Sequence, residues 1–163
     1  MSASRLHETL IAERIVSLID QNLAVPLGLK VVALGALEFF PALEDLSENV
    51  PAVFVKPSPA TNLERITTGQ TYRVTYYFRI VFIKPFLPSE EVVKTKTIDS
   101  QRIAELLIDN VDLGGISLPN GQILFSTLRA IEWEPPEDNL VATINANLTA
   151  SALVFTVETT ARK

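Results

Sequence analysis

The single histidine, His7, is the residue through which a Ser-His-acid triad or a histidine-bearing metal site would have to run. It stands in the first turn of a helical pattern with neither a nucleophile loop nor a second ligand nearby, so a solvated helix residue is favoured over a catalytic one. Asp109 and Asp112, three residues apart, can share a cation on one helix face, but no calcium-loop pattern surrounds them, and solvation of a helix end accounts for the pair. Arg73 and Arg79 fall on one side of a strand, about 20 Å apart by strand rise, where they can hold an acidic partner or keep that face soluble. Gly114 and Gly115 follow a helix rather than open one, which is the wrong place for a phosphate-binding or dinucleotide loop. The chain has no cysteine, which removes disulfide frameworks, zinc-thiolate sites and thiol nucleophiles together and fits a reducing compartment. The expectation is a protein without catalytic, cofactor-binding or metal-ligating residues, and not an enzyme.

The elements that position these residues are organised around 71–84, TYRVTYYFRIVFIK. Tyr72, Val74, Tyr76, Phe78, Ile80 and Phe82 alternate with Thr71, Arg73, Thr75, Tyr77 and Arg79, the period of a strand with one buried face. At roughly 3.3 Å per residue it spans about 45 Å, so the pattern predicts a strand running past its own core and leaving part of itself for a partner. From Val81 both faces turn apolar, which predicts cover on both sides, by a helix of the same subunit or by a neighbour.

Upstream, Ser4 is placed to cap a helix with Leu6, Leu10, Ile11, Ile15, Leu18 and Ile19 on one stripe, ending before Pro26. Residues 29–34 suit a short strand with Gly35 as a bend, and Pro41 suits the start of a brief helical turn through Leu46. Phe39 and Phe40 beside Pro41 serve either the core or a contact surface. Residues 50–57, bracketed by prolines, predict a short strand at an edge or boundary, and 58–70 a long polar connection containing Asn62, Glu64 and Arg65.

Downstream, Ser89, Glu90 and Glu91 open a helix whose later part places Ile103, Leu106, Leu107 and Val111 on one face and stops at Gly114 and Gly115. Carrying that helix back to Glu90 places Lys96 and Asp99 on the buried stripe; residues 92–98 alternatively extend as a strand. Pro119, Asn120 and Gly121 signal a turn before a strand over 122–134, whose alternation breaks near Thr127 as a bulge would break it. Pro135, Pro136, Glu137 and Asp138 are read as a hairpin tip, and 140–157 as a second very long strand with a bulge or change of environment after Ala152. The fold class is α+β, one domain over 1–163: a mixed, mostly antiparallel sheet with long strands and two main helices packed on one face.

At 163 residues the chain is long enough to bury roughly 70% of its unfolded surface without staples. A net charge of −5 argues against general nucleic-acid affinity, since gripping phosphate backbones takes a clustered basic surface. Charged residues are only 20% of the chain and hydrophobic ones 47%, consistent with surface buried in other subunits or with a well-packed monomer. Arg5, His7, Glu8, Glu13 and Arg14 interrupt the N-terminus, so no signal peptide is expected there, and 23–43 contains Lys30, Glu38, Pro26 and Pro41, so no membrane span is expected either.

The order and spacing of these elements resemble the tail-terminator proteins of long-tailed bacteriophages. The resemblance rests on the N-terminal amphipathic helix, the Pro51-Ala52-Val53-Phe54-Val55 strand, the polar connection, the long strand at 72–83, the proline-and-acid helix start at 88–91 and the closing segments either side of 135–139. It implies a subunit of a homo-oligomeric ring, typically a hexamer, in the tail or neck of a virion assembled in the host cytoplasm. Such a ring sits on the last ring of tail tube protein, with a sheath as a further candidate partner, stops tail growth and offers a surface to a head-side connector or stopper protein. DNA would meet it only in passage through the lumen, and like charge suits that role. The expected ring contacts are Phe39, Phe40, Asn62, Glu64, Arg65, Arg73, Arg79, Glu137 and Asp138. Another neck component (a head-completion or stopper protein), a monomeric binding module and, distantly, a small hydrolase using His7 are the alternatives.

Overall fold

A computed structural model describes residues 7–35, 48–57, 62–65, 71–85, 90–119, 121–144 and 147–162. In chain order the elements are α1 (Glu8–Leu23), β1 (Val31–Leu34), β2 (Ala52–Pro57), β3 (Asn62–Arg65), β4 (Thr71–Pro85), α2 (Glu90–Asp109), β5 (Gly121–Glu132), α3 (Pro136–Ile144) and β6 (Leu148–Arg162). They build one mixed sheet in the order β1-β2-β4-β6-β5, with β3 also pairing with β4. Among the described residues only β1 and β2 pair in parallel; every other pairing is antiparallel.

The long strand β4 is central because period-two alternation lets it serve two layers. Val74, Tyr76, Phe78, Ile80 and Phe82 point into a core with Ile11, Ile15, Leu18 and Ile19 of α1 and Ile103, Ala104 and Leu107 of α2. Val81 and Ile83, on the opposite face, join Ala52, Phe54, Val141, Leu148, Ala150 and Ala152 in a second cluster. Thus the change to two apolar faces at Val81 reflects a helix of the same chain, α3, on the far side of the sheet. The two main helices share one face as the pattern predicts; α3 is an addition on the other.

The expected surplus length of β4 is covered within the molecule. One of its edges pairs with β6 from Thr71↔Arg162 to Pro85↔Leu148, and the other with β2 over Phe78–Ile83 and with β3 over Tyr72–Thr75. The strand is long because two short strands share one of its edges end to end. Its polar connection therefore contains β3, and its backbone does not wait for a neighbour.

Other expectations are corrected by the same packing logic. β2 lies inside the sheet, and its prolines stand at its ends, where no ladder donor is lost from the middle. The N-cap of α1 is His7, not Ser4, and Leu10 is exposed. α2 is one continuous helix, but it ends at Asp109, so Val111 falls in the following turn and is exposed instead of sharing the buried face. β5 has register shifts against β6 at Ile123/Phe125 and Leu128/Ala130, bracketing Thr127.

The largest correction is at 136–144. The segment read as hairpin tip and strand is a helix, with Pro136 at its start and Glu137 and Asp138 in its first turn, where proline and acids favour helix initiation. β6 then begins at Leu148 and pairs with β4 without a break. The change of phase after Ala152 is a change of which face is covered: Leu148, Ala150 and Ala152 meet the α3 side, while Leu153, Phe155 and Val157 meet α1 and α2. Phe39, Phe40 and the predicted turn from Pro41 lie outside the described residues, as does Ser4.

Candidate functional site

Chemistry on the α3 face of the sheet converges on Arg79. Its Nε and Nη2 donate to Glu137 Oε1 and Oε2 at 2.8 Å each, while Nη1 and Nη2 donate to Glu132 Oε1 and Oε2 at 3.2 and 3.1 Å. One planar guanidinium thus holds carboxylates from α3 and β5 by paired bonds, the geometry that arginine provides and lysine does not. The two carboxylates raise the Arg79 pKa further above its ordinary value. Burial pushes the Glu137 carboxyl up, but the hydrogen bonds and charge of Arg79, its own backbone N–H and nearby Lys56 outweigh that and hold it below the usual range. Next to it, Asp138 Oδ1 accepts from Thr149 Oγ1 at 2.9 Å and from Ala150 N at 2.8 Å. Asp138 therefore supplies a ladder acceptor to β6 where β5, whose pairing reaches only Ala152, has stopped.

The polar groups that α2 buries are also answered internally. Lys96 Nζ donates to the Trp133 carbonyl at 2.8 Å and to Thr149 Oγ1 at 2.9 Å. Burial lowers the Lys96 pKa, with Asp138 and Glu134 opposing. Asp99 stands 3.6 Å from Lys84, and Ser100 and Ser151 share a 2.7 Å hydrogen bond between their hydroxyls. These pairs explain how one helix can carry lysine, aspartate and serine on its inner side.

His7 is not the solvated residue the pattern suggests, being 1% exposed. Its backbone N donates to the Tyr76 hydroxyl at 2.8 Å, and its Nε2 donates to the Pro119 carbonyl. It pins the start of α1 to the centre of β4 and to the turn before β5. Asp112 Oδ1 accepts from the Gly114 N–H at 3.2 Å and so shapes the end of α2. Gly114 has φ +73°, and the last turn is closed by Arg14, whose Nε donates to the Leu113 carbonyl at 2.8 Å. Among the described residues no group of three or more His, Asp or Glu side chains is placed to hold a metal ion.

What the described surface does offer is an apolar rim. β5 ends the sheet order, and among the described residues its outer edge has no strand beside it. Leu124 and Phe125 are exposed along it, at 38% and 47%, and Ile108 and Val111 from the end of α2 are more than half exposed. Ser126 Oγ donates to the Val111 carbonyl at 2.9 Å, which fixes that end of α2 against the middle of β5. From Gln122 to Leu128 the edge carries no charge and no proline, the devices that usually protect a free strand. Sequence reasoning missed this rim because it placed Val111 on the buried face. The signal available was the broken alternation at residues 123–128.

A search of the solved structures returns a match for this architecture over nearly its whole length. A chain of a gene transfer agent virion has the same fold. That chain comes from the virion of a native gene transfer agent particle; the alignment covers 91% of this chain and 93% of that one at a TM-score of 0.55 and 14% identity. No protein-family model matches this sequence, and no curated protein matches it. No helix among the described residues is long and apolar enough to cross a membrane.

The residues expected at a ring contact fall into three groups. Arg79, Glu137 and Asp138 are brought together, bonded to partners within the chain. Asn62, Glu64 and Arg65 lie on β3, in register with Thr75, Arg73 and Tyr72 of β4, so that Glu64 and Arg73 are cross-strand neighbours. Phe39 and Phe40 are outside the described residues.

Proposed function

We propose that this chain is a structural subunit of a phage-like virion, forming a homo-oligomeric ring, with a hexamer expected, at the head-proximal end of a tail. There it ends polymerisation of the tube and joins the tail to the head-side connector. The observation that carries this reading is the fold shared with a virion chain across more than nine-tenths of both molecules. Supporting it is the uncharged outer edge of β5, flanked by Leu124, Phe125, Ile108 and Val111, which suits burial against another subunit. A net charge of −5 suits a lumen through which DNA passes without being held.

In this reading Arg79, Glu137 and Asp138 act indirectly, by fixing α3, and the ring contacts rest on the β5 rim with Asn62, Glu64, Arg65, Arg73, Phe39 and Phe40. The test is light scattering of the purified chain alone and with the tail tube protein and the head-side connector from the same genome. The expected result is a ring-sized species that forms with, or is stabilised by, tube protein. Binding to the connector alone would reassign the chain to a head-completion or stopper role, and a monomer indifferent to both would remove the proposal.

A further inference from the structure

The attachment of α3 differs in kind from that of the other helices. α1 buries Ile11, Ala12, Ile15, Leu18, Ile19 and Leu23. Among the side chains described for α3, Val141 alone is buried, while Leu140, Ala142 and Thr143 are exposed. The sheet beneath it presents Ala52, Ala150 and Ala152, all fully buried and too short to interdigitate deeply with a helix. What fastens α3 is polar and sits in its first turn: the Arg79–Glu137 fork and the Asp138 bonds to Thr149 and Ala150. The β4–β6 ladder below is complete without it.

We propose that α3 is a detachable cover, latched by Arg79, that lifts from β6 as a unit and bares the apolar residues of that strand on its side of the sheet, Leu148, Ala150 and Ala152. A segment with little buried apolar contact and with polar fastenings at one end opens locally at a small fraction of the cost of global unfolding. The chain's lack of cysteine allows a direct test, because any thiol introduced is the sole thiol. Ala152→Cys places it under α3, and Ala12→Cys places it in the α1 core, where only wider unfolding exposes it. Under native conditions the thiol at 152 is expected to react with a soluble thiol reagent at least tenfold faster than that at 12. Adding Arg79→Gln, which weakens the closed state, is expected to speed the first reaction at least tenfold further, and low concentrations of urea are expected to speed the second reaction far more steeply than the first, because wider unfolding exposes more surface than the lifting of one helix. Equal rates at the two positions would overturn the proposal even if the Arg79 variant failed to fold, and so would the same urea dependence at both positions, or no acceleration at position 152 by Arg79→Gln.

Discussion

Arg79 of β4 and Glu137 of α3 face each other through two parallel hydrogen bonds of 2.8 Å, and this contact ties the short third helix to the middle of the sheet. Both side chains are mostly withdrawn from solvent, with 28% and 16% of their surface exposed, so the pair is screened less than a surface ion pair. Removing the guanidinium leaves Glu137 and Glu132 close to one another without their cation. Arg79→Gln is expected to lower stability by about 1.5–3 kcal/mol, the range for hydrogen bonds to charged groups. A urea midpoint shift with unchanged slope would show it. A shift below about 0.5 kcal/mol would mean that the fork contributes no more than an exposed pair.

The same contact sets a response to acid. Glu137 is held below the ordinary carboxyl value when folded, so its contribution is fully present above its unfolded value, about 4.3, and disappears as pH falls through the lower folded value. The stability difference between the wild type and Arg79→Gln should therefore be constant near neutrality and narrow as the solution is acidified below about pH 4. Denaturation curves at a series of pH values test this; a gap that widened toward low pH would have the wrong sign.

His7 fastens the start of α1 to β4 and to the turn before β5. His7→Ala keeps the backbone bond to Tyr76 but removes the bond to the Pro119 carbonyl and opens a space beside Gly121, so a loss of about 2–4 kcal/mol is expected. Thermal melting reads the loss. Stability unchanged within about 0.5 kcal/mol would contradict the buried position.

Much of this architecture was legible because it follows from periodicity. Residues 71–84 announce a strand by strict alternation, and the stripe of Ile11, Ile15, Leu18 and Ile19 announces α1. The helix at 136–144 was hidden because Leu140, Ala142, Ile144 and Ala146 also alternate, and nine residues hold too few turns to separate the two periods. His7 was misjudged because its partners, Tyr76 and Pro119, are 69 and 112 residues away, and no local pattern carries that information. Lys96 and Asp99 looked out of place on a buried stripe for the same reason: Trp133, Thr149 and Lys84 answer them only after the sheet has formed. Glu137 and Asp138 were read as part of a hairpin tip and expected at a ring contact; in the structure they open α3 and bond within the chain, to Arg79 and to Thr149 and Ala150.

The β5 rim makes a separable prediction. Phe125 is 47% exposed and is not part of either apolar cluster, so Phe125→Lys should change stability by less than about 0.5 kcal/mol. If the rim meets another subunit, the buried charge it introduces should abolish the ring seen by light scattering with tube protein. A variant as stable as wild type that still assembles would place the subunit contact elsewhere.

The most direct measurement of the central claim is the length of tails assembled in cells from which this gene has been deleted. A subunit that ends tube growth and offers a landing surface to the head predicts tails well beyond their normal length, unattached to filled heads, with normal length restored when the gene is supplied in trans. Tails of normal length joined to heads in the deletion strain would contradict it.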